Sequence, residues 1–166
     1  MKKISQKIAK PKKISVVFIC TGNTCRSPVA ERVFKHQLKK ARKLNKFKVA
    51  SAGLSAEAGA PMSALSAQVL KEAGIMHANH KSRPLTDKII KSADYFICMT
   101  QGHKLAMRGL SPQIYTVAEI TNGGDVSDPW GGTYEEYKRM FDYVVYAMPE
   151  IESFIAAHSA QRRGVE

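Results

Sequence analysis

The stretch Ile14-Ser-Val-Val-Phe-Ile-Cys20-Thr-Gly-Asn-Thr-Cys-Arg26-Ser-Pro28 joins a buried strand, a polar turn and a helix start within 15 residues. Ile14–Ile19 is a continuous β-branched and aromatic run, the pattern of a strand covered on both faces. Cys20–Arg26 is polar and contains Gly22. Ser27 and Pro28 then predict an N-cap and a first helical residue. Backbone N–H groups of such a turn point into one concavity at a helix N-terminus, where the helix dipole favours an anion. Arg26 adds a planar fork able to grip two phosphoryl oxygens. The same field favours the thiolate of Cys20, the nucleophilic form. A thiolate beneath a bound phosphate is set for in-line attack on phosphorus, giving a cysteinyl-phosphate. The turn is not a Walker loop, because it lacks the second glycine and the Gly-Lys-Ser/Thr end.

Outward from this segment, apolar periodicity alternates strands with helices. The first helix places Ala30, Val33, Phe34, Leu38 and Ala41 on one side. Phe47–Ser51 reads as a second strand, and Met62, Leu65, Val69 and Leu70 mark a helix stopped by Gly74. Thr86–Ser92 is a short helix, Ala93–Met99 a buried strand, Gln101–Arg108 a short helix and Ile114–Val117 the last strand. Ala118–Gly132 reads as a long loop, of a length that is often functional. Thr133 and Glu136 have capping-box spacing. They open a final helix to about His158, with Tyr137, Phe141, Val144, Met148, Ile151 and Ile155 as its stripe and Pro149 as a kink or a new start. The expected fold is α/β: three layers around a four-stranded parallel sheet, with the phosphate-binding loop between the first strand and first helix.

The chain has 166 residues and a formal net charge of +12, which raises nucleic acid or an acidic membrane as partners. The charge is local. Residues 1–13 carry six lysines and no acid, and residues 35–48 carry seven Lys or Arg and no acid. Outside both blocks, 13 basic residues face 14 acidic ones. The sequence therefore divides into a basic tail 1–13, expected to be disordered, a single domain 14–159, and a C-terminal tail 160–166. The basic end of the first helix should lie roughly 25 Å from the loop, at about 1.5 Å per residue. It could recruit acidic partners or simply be solvated. Neither block shows the interleaved aromatic array of a nucleic-acid groove, so nucleic acid is disfavoured. No apolar run is long enough to span a bilayer. Three cysteines do not make a disulfide framework, and reduced thiols fit a cytoplasmic setting. The Ile14–Cys20 run imitates a signal peptide without a small-residue cleavage site after it, so the chain is expected to be unprocessed. His36, His77, His80, His103 and His158 form no metal-ligand pattern; no metal or cofactor is expected. Cys98, inside an apolar strand, reads as a buried inert thiol.

The cysteine loop resembles the signature of the low-molecular-weight protein tyrosine phosphatase family: Cys, five residues, Arg and Ser directly after the first strand. The family's other landmark is an Asp-Pro loop before the last helix, matched by Asp128-Pro129-Trp130-Gly131-Gly132. Likeness runs from about Ile14 to Phe154 and includes Ser51-Ala52-Gly53 and Ser82-Arg83-Pro84-Leu85-Thr86. It implies Cys20 as nucleophile, Arg26 as phosphate and transition-state clamp, and Asp128 as general acid and then base toward water. Thr21 and Gly22 belong to the loop, and Asn23 and Ser27 match residues that hold it and hydrogen-bond the thiolate. Cys25 matches a cysteine that can form a protective disulfide with Cys20. Thr24 and Trp130-Gly131-Gly132 depart from the tyrosine-type pattern and resemble the bacterial protein-arginine phosphatase branch. Thr24 can place a polar contact near a guanidinium, while Trp130 stacks equally on a phenyl or a guanidinium. The implied partners are phosphorylated proteins, phosphoarginine favoured over phosphotyrosine, with inorganic phosphate as product and inhibitor. An arsenate reductase on this scaffold would need two further relay cysteines, and only Cys98 is available. A phosphocarrier would preserve the phosphocysteine that Arg26 and Asp128 serve to turn over.

Overall fold

A computed structural model describes residues 11–164. The elements follow the order β1 (Ile14–Cys20), α1 (Arg26–Lys40), β2 (Phe47–Gly53), α2 (Ala64–Glu72), α3 (Asp87–Ser92), β3 (Tyr95–Cys98), α4 (Gln101–Ala106), β4 (Ile114–Thr116), α5 (Val117–Thr121) and α6 (Tyr134–Gly164). The four strands form one parallel sheet in the order β2-β1-β3-β4, so β1 lies inside it with neighbours on both edges. Alternation along β1 explains the two cores. Val16, Phe18 and Cys20 face α1 and α6, whereas Val17 and Ile19 face the layer of α3 and α4 with Phe96, Cys98 and Met107. Phe34 of α1 meets Phe18 and Phe47 edge-on, at centroid distances of 5.5 and 5.8 Å. The expected α6 stripe is buried throughout.

Several boundaries differ from the expectations, each for a local reason. Ala41 is exposed and caps the C-terminus of α1, so it does not extend the buried face. The expected loop 118–132 contains α5, whose Thr116 and Glu119 make a reciprocal capping box. The box hides within a strand end, because Thr116 also closes β4. Pro149 interrupts nothing: α6 runs from Tyr134 to Gly164, past His158 and through most of residues 160–166 read as a tail. The carbonyl that Pro149 leaves without a helical partner belongs to Val145, which is exposed to water. Residues 1–10 of the expected basic tail lie outside the described residues; Lys12 and Lys13 are exposed. Among the described residues no helix is long and apolar enough to cross a membrane.

The β1–β2 register sets Cys20 beside Gly53 at the C-terminal ends of both strands. Pairing continues beyond the sheet, since the Leu54 N–H donates to the Cys20 carbonyl and the Ser55 N–H to that of Thr21, both at 3.0 Å. A Cβ on Gly53 would lie 2.5 Å from the Thr21 carbonyl oxygen and 2.8 Å from the Ala56 Cβ. Gly53→Ala should therefore push the cysteine loop off β2 and lower unfolding stability in urea by about 1–3 kcal/mol. An unchanged unfolding midpoint would contradict this tight approach.

Candidate active site

The cysteine loop closes around one asparagine. Asn23 is held at φ +54°, a left-handed conformation that asparagine tolerates better than most residues. Its Oδ1 accepts the Arg83 N–H at 2.9 Å, which fixes the amide so that Nδ2 donates to Ser27 Oγ at 2.8 Å and Ser51 Oγ at 2.9 Å. Ser51 in turn donates to the buried Glu31 Oε2 at 2.6 Å. Since Asn23 donates to the Ser27 hydroxyl, the single hydroxyl proton is free for Cys20 Sγ, 2.9 Å away. The Asn23 backbone N–H donates to the same sulfur at 3.3 Å. Two donors thus converge on the sulfur. The Asn23 carbonyl contacts His80 Nε2 at 2.7 Å. Burial pushes the His80 pKa below its ordinary value, so the ring stays neutral with its Nε2 proton on that carbonyl.

Ser27 is not the helix cap. The N-cap of α1 is Cys25, with φ −119° and ψ −82° and no side-chain capping bond, and Arg26 is already helical. The Ser27 hydroxyl is drawn instead to Cys20 and Asn23, leaving the first N–H groups of α1 open toward the concavity. Cys25 turns away to Ser63 Oγ at 3.4 Å and Tyr137 Oη at 3.5 Å. Burial first, then the Cys25 contact, pushes the Tyr137 hydroxyl up to about 12.

Arg26 Nη2 lies 3.0 Å from Asp128 Oδ2 and Nη1 donates to the Val126 carbonyl at 3.4 Å. The pair is lopsided, with side-chain exposure of 6% for Arg26 and 52% for Asp128. Asp128 Oδ1 also accepts the Trp130 N–H at 3.2 Å. Cys20, Thr21, Gly22, Thr24, Cys25, Arg26, Asp128 and Trp130 line one pocket of about 300 Å³. Trp130, 77% exposed, forms its rim. Asn23 and Ser27 do not line it; both are fully buried beneath. Cys98 lies in the opposite core, where burial pushes its thiol up to about 12 and keeps it protonated.

From the sequence Glu31 carries no assignment, His80 and His103 are weighed only as metal ligands, and Ser51 is part of the family likeness without a role. Glu31 had a signal, being four residues after Ser27 on a buried helix face. His103, largely buried, contacts Thr21 Oγ1 through Nε2 and Thr100 Oγ1 through Nδ1, both at 2.9 Å. Burial, then the Arg26 charge, pushes its pKa down to about 4, against the opposing pull of Asp128 and Asp125. It is therefore neutral at pH 7.

The sequence model of the low molecular weight phosphotyrosine protein phosphatase family matches residues 15–160. The chain belongs to this family. A relative from Bacillus subtilis, a protein-arginine-phosphatase, is 37% identical over 135 residues, which cover 78% of this chain and 88% of the relative. A low molecular weight phosphotyrosine protein phosphatase of Saccharomyces cerevisiae is 34% identical, covering 84% and 92% respectively. The crystal structure of a YwlE mutant from Bacillus subtilis superposes with a TM-score of 0.81 at 31% identity, over 87% of this chain and 99% of that one. The four-stranded parallel sheet and the loop between β1 and α1 are those of the family.

The neutral His103 has a consequence for stability. Between its ordinary value of 6.5 and about 4, the unfolded chain binds a proton that the folded chain refuses. Its contribution is therefore whole above pH 6.5 and is lost as pH falls toward 4, with His80 acting in the same direction. His103→Gln keeps a hydrogen-bonding group that cannot titrate, so Tm should fall less over this interval than in the parent chain. Equal slopes would contradict a neutral, buried His103.

Proposed function

We propose that the chain hydrolyses phosphorylated protein side chains through a phosphocysteine on Cys20, with phosphoarginine as the substrate group. The observation that carries this reading is the convergence of two hydrogen-bond donors on Cys20 Sγ in the pocket that Arg26 and Asp128 share. The phosphoryl group enters that pocket with its oxygens on the loop and helix N–H groups and on the Arg26 fork. Arg26 is already held by Val126 and Asp128, so it is aimed before the anion arrives. The Cys20 thiolate attacks phosphorus in line, the P–S bond forms as the P–N bond breaks, and the carboxyl of Asp128 protonates the departing guanidine nitrogen. The resulting Asp128 carboxylate then takes a proton from water, which attacks phosphorus and breaks the P–S bond. Inorganic phosphate leaves and the thiolate returns. Phosphate fits the same loop and inhibits as product.

Thr24 supports phosphoarginine over phosphotyrosine. Its side chain lines the pocket within 3.7 Å of Cys25 Sγ, where a bulky aliphatic would exclude a polar contact to a guanidinium or an attacking water. The relatives from Bacillus subtilis and Geobacillus stearothermophilus that are named protein-arginine-phosphatases point the same way. Phosphotyrosine is the second reading, favoured by the yeast relative named as a phosphotyrosine protein phosphatase.

On a phosphoarginine peptide, Cys20→Ser should abolish turnover and Asp128→Ala should lower kcat by about 10²–10⁴-fold. Full activity in Cys20→Ser would end this reading. Thr24→Ile should shift the ratio of kcat/KM toward phosphotyrosine peptides; an unchanged ratio would remove Thr24 as the selector.

A further inference from the structure

Beside the far half of α1 lies a groove of about 570 Å³, nearly twice the volume of the active-site pocket. Arg32, Lys39 and Lys40 line one part, and Leu44, Ile75 and Met76 line another. Among the described residues no acidic one lines it. Lys35, also in the groove, is tied to Glu31, and Arg32 Nη2 donates to the Ala78 carbonyl at 3.2 Å. Lys39 and Lys40 form no ion pair among the described residues. Met76 is 73% exposed, and Leu44 stands partly in solvent beside it. A merely solvated charge run does not account for large apolar side chains presented among the cations.

We propose that this groove docks an acidic segment of the phosphoprotein substrate, with carboxylates on Arg32, Lys39 and Lys40 and an apolar side chain against Leu44, Ile75 and Met76. The proposal rests on the protein-phosphatase reading and deepens it. Charge selects the occupant. A second copy would bring another +12 against the same cations. Leu44, Ile75 and Met76 give the groove aliphatic and thioether surface, and the single ring in its lining is the imidazole of His36, which suits an apolar protein side chain better than a run of stacked bases. Its length agrees with a short extended segment: Arg32 to Lys40 spans about 12 Å of helix, the reach of about four strand residues. It begins about 9 Å along the axis from Arg26 and ends about 21 Å from it. Along that axis the docked residues and the phosphorylated one are separated by no more than the reach of about six extended residues. Such contacts are the same in ground and transition states, so they lower KM for protein substrates and leave kcat alone.

The test uses the full chain and a fluorescein-labelled, unphosphorylated peptide of alternating Glu and Leu, followed by anisotropy. Binding should saturate, weaken with added salt, and drop by about tenfold in Lys39→Glu/Lys40→Glu and severalfold in Met76→Ser. Both variants should hydrolyse para-nitrophenyl phosphate at the parent rate, since neither touches the pocket. Equal affinity in parent and double variant, or no saturable binding, would overturn the proposal. So would tighter binding of a single-stranded oligonucleotide that competes with the peptide. Failure of the parent chain to hydrolyse para-nitrophenyl phosphate would instead strike the phosphatase reading, whatever the anisotropy shows.

Discussion

The hydrogen bonds of Asn23 tie the cysteine loop to three other segments of the chain: Ser27 in α1, Ser51 in β2, and the stretch that carries His80 and the backbone of Arg83. Its own N–H completes the set on Cys20 Sγ. Every polar group of this residue is engaged and buried, and in such a network a missing partner costs about 1–3 kcal/mol rather than one weak contact. The loop can therefore expose a row of backbone N–H groups to an anion without collapsing when the anion is absent. Gly53 is the steric counterpart, because only a residue without a Cβ lets β2 approach the Thr21 carbonyl so closely.

The electrostatics of the pocket follow from that fixed loop. Arg26 is buried as the first residue of α1 and needs a partner. Asp128 supplies the countercharge from a position half in water. In the proposed mechanism a phosphoryl dianion would take over that role and free Asp128 to face the leaving group. His103, a few ångströms away on Thr21, remains neutral because burial and Arg26 both oppose a second cation there. The cation needed to grip phosphate is thus kept single and aimed.

Much of this was legible in the sequence, for physical reasons that also mark its limits. The β-branched run before Cys20, the glycine turn and the alternation of strands with helices dictate a parallel sheet with an anion site at the end of β1. Cys20, Thr24, Arg26, Asp128 and Trp130 line one pocket, and only the family likeness, not any local pattern, points to Asp128 and Trp130 from the sequence. Ser27 was misread as a cap because Ser-Pro is a strong local signal, while the sulfur and amide that claim its hydroxyl come from elsewhere in the fold. Capping at Thr116 was missed because one threonine ends β4 and starts α5. The cysteine-loop partners of His80 and His103, Asn23 and Thr21, are 57 and 82 residues distant, beyond any periodicity in the chain.

The central claim is that phosphate passes through Cys20. Its most direct test mixes the enzyme with a phosphoarginine peptide, quenches in acid within one turnover, and maps the proteolysed chain by mass spectrometry. The account predicts one added phosphoryl group on the peptide containing Cys20, appearing before free phosphate and accumulating further in Asp128→Ala. Phosphate release with no phosphoryl group on Cys20, or with the group on another residue, would contradict it.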